Sequence, residues 1–595
     1  LRILSLLHFF SPPEHQVLSL EVQAAMGEAH PPKRGQFAIL VRHFLERFFN
    51  NEMVSADEGL ARLLLIACAV GLPNFTAAVY LWALYHKVFG PPRPYWSRVG
   101  DHYFFVAYSL VAMGIVTVFE WDLFFPDLID LFVMSSLPIR QLRLFLARVA
   151  AISIFAFGFL LLANLLSTLV LPLAVDPPSI WRFLEAHTLA VAAAGVFAAA
   201  FVLALQGVLL ALLGASLFRR ISLALQGSLI TLLLVLLSLS PLLAEILPAI
   251  AHSGNGWMFF LPPYWFLGLY QRGLQGPSAL PVYAKLAQSG WSITLLLLAV
   301  GVAAYPVAYW RQTRQLIEGA GSRAMRRWRT PTRFFHAALC HIPARRAVCH
   351  FINQTLLRVP RYRINLVMYG GLGLSLAIAG ILRLQLEGGR VRASFAADGI
   401  QAAMPVAAFW TIAGLRMAFA APGDSRAHWI FRSIHGKPTL DDLLAAKHWA
   451  LVWGMIVTFG VLATVAPLAP APARTPRVLA GVALAAAGLC LLLDDLFFLN
   501  VKIIPFTRPH EPDRTNLATA LLKYIAFFPP LVLFAPNYLA WIEASLFHML
   551  AAAAFLLAAH WWLRTRHQRV VREHFILLDL EEDEEEFPLK LGLRS

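Results

Sequence analysis

From Val149 to Val175 the chain runs without a single charged residue, and comparable stretches recur along its length. An apolar run of about 20 residues is long enough to cross the hydrocarbon of a bilayer as a helix. Inside lipid every backbone N–H and C=O needs a partner within the protein, so only helices or a closed barrel can span. Barrel strands would read as short segments of alternating polarity. These runs are continuous and rich in Leu, Ala, Val and Phe. The expected fold class is therefore all-α: a polytopic integral membrane helical bundle. Composition agrees, since 59% of the 595 residues are hydrophobic and only 14% are charged, whereas a water-facing domain keeps roughly a quarter charged.

About twelve spans are expected, at residues 60–85, 103–121, 144–170, 187–217, 221–250, 291–310, 364–382, 402–419, 448–465, 478–499, 516–534 and 541–563. The net charge of +15 does not point to nucleic acid, because the basic residues gather beside the ends of apolar runs. That is where topology anchors and contacts to anionic lipid belong. Between 311 and 363 stand Arg311, Arg314, Arg323, Arg326, Arg327, Arg329, Arg333, Arg345, Arg346, Arg358, Arg361 and Arg363, with Glu318 the only acid. So much positive charge stays in the cytoplasm. Arg140, Arg143 and Arg148 after the second span agree, as do Arg219–Arg220 after the fourth and Arg564, Arg566, Arg569 and Arg572 after the last. Lys87, Arg93 and Arg98 disagree, one mixed loop against several. Both termini are expected in the cytoplasm.

The chain then divides into a cytoplasmic segment (1–59), a six-span half (60–310), a basic cytoplasmic connector (311–363), a second six-span half (364–563) and a cytoplasmic tail (564–595). Each half opens with an amphipathic lead-in. In 36–50, Phe37, Leu40, Val41, Phe44, Leu45 and Phe48 share one helical face, away from Arg42, Glu46 and Arg47. Such a helix is expected to lie along the membrane surface with its apolar side in the acyl boundary. Residues 343–362 play the same part in the second half. The run 3–10 is too short for a span, and no small-residue cleavage site closely follows it. The tail 580–587 is a dense acidic run, expected to stay solvated.

Several chemistries are missing. No G-x-x-x-x-G-K-[ST] occurs, and Gly436–Lys437–Pro438–Thr439 is broken by proline and lacks the upstream glycine. Nor is there a G-x-S-x-G, H-E-x-x-H or C-x-x-C. Cys68, Cys340, Cys349 and Cys490 are too few for a disulfide scaffold, and Cys340 and Cys349 with His336, His341 and His350 fit no metal spacing. No catalytic residue, cofactor or metal ligand is expected, and no enzyme. Energised work would draw on another chain or on an ion gradient.

The most informative stretch follows the second span. Glu120, Asp122, Asp127 and Asp130 are interleaved with Trp121, Phe124, Phe125, Pro126 and Leu128. Then come an apolar turn, Leu137–Pro138–Ile139–Arg140, and the basic start of the third span. This reads as a short cytoplasmic helix held against the membrane, acids offered to a partner and arginines to lipid phosphate. An interfacial loop with no partner is the plainer alternative. The pattern resembles permease subunits of ABC exporters of the type-2 membrane family, in a fused version with two halves. The resemblance takes in the lead-in helix, the six-span unit and the aromatic turn 259–266 between spans five and six. It also takes in Leu415–Arg416 with Pro422, Asp424, Arg426 and 428–432, and 502–507 (KIIPFT). It implies that Asp122, Asp127, Asp130, Pro138 and Arg140 belong to a surface docking a separate cytoplasmic ATP-binding subunit. It also implies export of an unknown substrate across a bacterial cytoplasmic (inner) membrane. Members usually have six spans, and here there are about twelve.

Asp494–Asp495 is the second candidate, an acidic pair within a span. An intramembrane acid suggests a proton or ion site. With Lys502 a few residues on, an interfacial salt bridge is the reading preferred here. Glu245 in the fifth span is a weaker case. The alternative function is a twelve-span secondary active transporter driven by an ion gradient. A membrane-embedded lipid enzyme ranks last, because the histidines are scattered.

Overall fold

The computed structural model describes residues 35–49, 59–86, 94–126, 133–134, 138–253, 256–317, 343–387, 390–396, 399–420, 440–468, 474–499 and 515–582. Asp127, Asp130, His336, Cys340, His341, Lys502, the 422–432 and 502–507 segments and the acidic residues from 583 onward lie outside them. The chain separates into two compact units: Leu1–Ala324 with Leu384–Ala393, and Met325–Arg383 with Ser394–Ser595.

The first unit comprises α1 (Gln36–Phe49), α2 (Gly59–Tyr85), α3 (Tyr95–Phe119), α4 (Gln141–Val175), α5 (Ile180–Ser238), α6 (Ser240–Ser253), α7 (Pro262–Gln275) and α8 (Pro281–Ile317). The second comprises α9 (Pro343–Arg358), α10 (Pro360–Ile381), α11 (Gly399–Ala420), α12 (Leu440–Val465), α13 (Pro476–Phe497), α14 (Thr515–Ala544) and α15 (Leu546–Glu582). Between α10 and α11 run two paired strands, β1 (Leu382–Glu387) and β2 (Arg390–Phe395).

The distribution of side chains is inverted relative to a water-soluble bundle. On α4 most residues turned inward are small or polar, among them Ala147, Ala151, Ala163, Asn164 and Ser167, beside Ile152, Phe159 and Leu171. The outward stripe is Ile154, Phe157, Leu161, Leu165, Leu169 and Leu173, with Phe157 68% and Leu173 70% exposed. A helix that hides its small residues and displays its large apolar ones is covered by lipid. Nine segments among the described residues are long and apolar enough to cross a membrane: Tyr95–Phe124, Gln141–Val175, Ile180–Leu213, Ile221–Ser238, Pro281–Arg314, Tyr362–Ile381, Leu443–Leu468, Pro476–Phe497 and Leu546–Val570. The chain is a helical integral membrane protein. The three other expected spans fall on α2, α11 and α14, of which α11 has only the shorter apolar core Ala403–Phe419.

Four local expectations need correction. First, spans four and five are two spans as expected, Ile180–Leu213 and Ile221–Ser238, but no loop separates them in α5, and the end of the expected span 221–250 belongs to a separate helix, α6. A straight helix would put residues 195 and 233 about 57 Å apart at 1.5 Å per residue. Instead Gly195 lies against Ser109 and Met113 of α3, and Leu233 lies against the adjacent Gly114. The chain therefore doubles back between Leu213 and Ile221, and the two arms run side by side along α3. Second, the expected aromatic loop at 259–266 becomes a helix start. Pro262 and Pro263 open α7, as proline favours in a first turn, and Tyr264, Trp265, Phe266, Leu267 and Tyr270 are buried in the core. Third, the strands were missed, although Leu382, Leu384 and Leu386 alternate with polar residues ahead of Gly388–Gly389, a hairpin signature. Fourth, the apolar stripe of α1 does not wait for lipid: Leu40, Val41, Phe44 and Leu45 are buried, and α1 packs on α4. The Arg148 guanidinium lies 4.6 Å from the Phe44 ring centre, and Arg143 Nη1 donates to Gln36 Oε1 at 3.0 Å.

Candidate functional site

Two places gather the residues singled out in the sequence. The first is the foot of α3. There α3 tightens into one 3₁₀ turn, Glu120–Phe124, and the backbone leaves the helix with its carbonyls exposed to capture. Gln206 Nε2 of α5 donates to the Trp121 carbonyl at 2.8 Å. The Tyr305 hydroxyl of α8 donates to the Phe124 carbonyl, and Gln312 Nε2 of the same helix reaches the Pro126 carbonyl at 3.4 Å. Trp121 is 1% exposed, and its indole stacks on Phe218 of α5 at 5.9 Å with 5° between the planes. Phe125 packs on Tyr305 at 5.1 Å. On α4, Phe145 is enclosed by Tyr305, Tyr309 and Trp310 of α8.

The chain from 120 to 126 is thus fastened on its apolar side to α5 and α8, while Asp122, Pro138 and Arg140 are exposed. Arg140 is the residue immediately before α4. Of the five expected docking residues these three stand at one end of the unit, and Asp127 and Asp130 fall outside the described residues. The anchors Gln206, Phe218, Tyr305 and Gln312 were not expected. They lie far away in sequence and carry no local pattern that marks them.

The second place is on α13. Asp494 and Asp495 are both completely buried. Asp495 Oδ1 accepts from Lys447 Nζ of α12 at 2.5 Å, and its Oδ2 meets His560 Nδ1 of α15 at 2.6 Å. One carboxylate thereby ties three helices. Among the described residues, Asp494 has no hydrogen-bond partner at either oxygen. One turn earlier Cys490 Sγ meets Thr458 Oγ1 of α12 at 3.4 Å. Beyond the pair the helix end is closed by side chains on its carbonyls. Arg416 Nε donates to Phe497 O at 3.0 Å, and His567 Nδ1 lies 2.7 Å from Leu499 O. The expected partner Lys502 lies outside the described residues, and the salt bridge is made by Lys447 instead. No local pattern marks either partner: Lys447 stands beside His448, and His560 lies near the basic end of its helix. Glu245 is exposed on α6 and joins neither place.

At the opposite end of the first unit a polar network joins three helices. Gln271 Nε2 of α7 donates to His102 Nδ1 of α3 at 2.9 Å, and His187 Nδ1 of α5 meets the Tyr270 hydroxyl at 3.0 Å. All four residues are buried. Gln275 extends the network to Tyr95 and back to Gln271. The network fixes α7 against α3 and α5, which is a reason for a polar helix to sit deep in the unit.

No known family model matches the chain, and no curated protein or solved structure is similar to it.

Proposed function

We propose that the chain is the membrane-spanning permease component of an ABC-type exporter, with ATP hydrolysis supplied by a separate cytoplasmic subunit. The observation that carries this reading is the fastening of residues 120–126. A loop that merely joins two spans needs no hydrogen bonds from other helices. This one takes donors from both α5 and α8, so a displacement applied to its exposed side is passed to α3, α5 and α8 together. Those helices are the body of the unit, and α4 starts from the far end of the same loop. That is the mechanical requirement for turning a nucleotide-driven movement below the membrane into a rearrangement within it.

Charge supports placing this foot in the cytoplasm. Arg140 and Arg143 start α4 there, and Arg311 of α8 reaches the Ala211 carbonyl of α5 at the same end. A concentration of arginine at one end of the spans marks the side that is not translocated. In this reading there are twelve spans in two halves, both termini are cytoplasmic, and the membrane is a bacterial inner membrane. Substrate class follows from none of these residues.

The test is capture of a partner. The full chain, solubilised in mild detergent, is expected to bring down an ATP-binding subunit, and Asp122→Lys with Arg140→Glu is expected to reduce that capture at least tenfold. Unchanged capture by the double variant would remove this surface from the docking role. Transport by the purified chain alone, driven by an ion gradient, would replace the proposal with a secondary transporter.

A further inference from the structure

Of the two buried carboxyls on α13, only Asp495 has hydrogen-bond partners among the described residues. Asp495 Oδ1 accepts from Lys447 Nζ at 2.5 Å, and its other oxygen meets His560 Nδ1 at 2.6 Å. Asp494 is then left over, wholly buried and with no hydrogen bond to either oxygen. A buried carboxylate without counter-charge or donor costs several kcal/mol, whereas a neutral carboxylic acid in the same place forgoes only its hydrogen bonds, about 1–3 kcal/mol. The cheapest positive charge that needs no coordination shell is a proton. A metal ion would want several oxygen ligands, and no metal-binding group of three or more His, Cys, Asp or Glu exists among the described residues.

We propose that Asp494, Asp495, Lys447 and His560 form a binding site for a single exchangeable proton, held on Asp494 while the helices are packed. The surroundings suit an exchangeable proton better than a permanent one. His560 is partly exposed, with about a quarter of its side chain open, so the cluster has one member that touches the outside. His448 of α12 and His567 of α15 stand near it, and so do the fixed cations Arg345 of α9, Arg416 of α11 and Arg564 of α15. The absence of any donor to Asp494 among the described residues favours keeping the proton, and entry of water favours its release. The balance between the two changes whenever water reaches the carboxyl, so proton occupancy and the packing of α12, α13 and α15 are linked.

The inference does not rest on the docking proposal, and its test is separate. The full chain is reconstituted in phosphatidylcholine vesicles, and the infrared carbonyl stretch of carboxylic acids is followed as pH is changed. A band from an acid without hydrogen bonds is expected at neutral pH. It is lost in Asp494→Asn and kept in Glu245→Gln, whose carboxyl is exposed. Absence of that band, or its survival in Asp494→Asn, would overturn the proposal. Folding is controlled by melting temperature: Asp494→Asn copies a neutral acid and is expected to melt with the parent, whereas Asp495→Asn strands Lys447 and melts earlier. Equal loss in both would mean that Asp494 is an ionised structural group, again overturning the proposal. Replacing choline chloride by sodium chloride is expected to leave the band unchanged. Its displacement by sodium would assign the site to a metal cation.

Discussion

The residues that matter most here are polar side chains placed where lipid or packed protein gives them no second choice of partner. Gln206 is the clearest case in the first unit. Its side chain is 1% exposed, and its amide nitrogen serves a backbone carbonyl that has already left the helical ladder. Gln206→Leu should cost about 1–3 kcal/mol, the desolvation of an acceptor left unpaired, measured as a lower unfolding midpoint in detergent. In the second unit Lys447→Met removes the ammonium that donates to Asp495. The loss should be about 3–5 kcal/mol, because a buried carboxylate loses its ammonium partner and keeps only His560. The double variant Lys447→Met with Asp495→Leu should recover most of it. A double-mutant cycle on unfolding midpoints measures that coupling. If the double variant is no better than the single, Asp495 is held by something other than Lys447.

Among the elements, close approach depends on glycines that accept a neighbour's side chain. In α10 and α11 the arrangement is reciprocal. A β-carbon on Gly373 would come within 2.7 Å of Trp410 Cβ, and one on Gly414 within 2.6 Å of Tyr369 Cβ. Each helix thus presents an aromatic residue and, one turn away, a notch for the other's aromatic, the small-residue contact expected between helices in lipid. Gly414→Leu should separate α10 from α11 and lower the melting temperature, and Tyr369→Ala in the same chain should restore part of it. Much of this layer was legible in the sequence. Apolar runs fix where helices are, because lipid leaves a segment no other way to satisfy its backbone. What stayed hidden were changes of direction. Arg219–Arg220 marked the right place for a turn, but nothing in the sequence says that α5 makes it while remaining helical. Pro262–Pro263 reads as a loop in isolation and becomes a helix start only because Tyr264 and Tyr270 have a core to enter. The acid pair was legible as an anomaly, whereas its partners Lys447 and His560 were not, since three helices must meet before they are neighbours.

At the scale of the molecule the two units share a plan and differ in detail. Each begins with a short helix whose apolar face is buried against the bundle. α1 packs on α4, and α9 packs on α12 through Val348, Cys349, Ile352 and Leu356. α4 and α12 are the third spans of their halves in the proposed arrangement. The opening spans differ: α2 packs chiefly on α4, and α10 on α11. A common plan with unequal packing suits two halves that divide the work. The proposed orientation can be checked across the whole chain by cysteine labelling in a background lacking the four native cysteines. Pro138→Cys should react with an impermeant reagent only from the cytoplasmic side. Ser278→Cys, exposed between α7 and α8 at the other end of the first unit, should react only from outside. The doubled-back α5 limits what the first unit can do mechanically. Its two arms end at Leu213 and Ile221, too close together in the chain for one to slide past the other like a piston. They can only tilt or splay as the prongs of a single fork, and any passage opened beside them must widen by leaning, with its hinge near the foot where Trp121 is held.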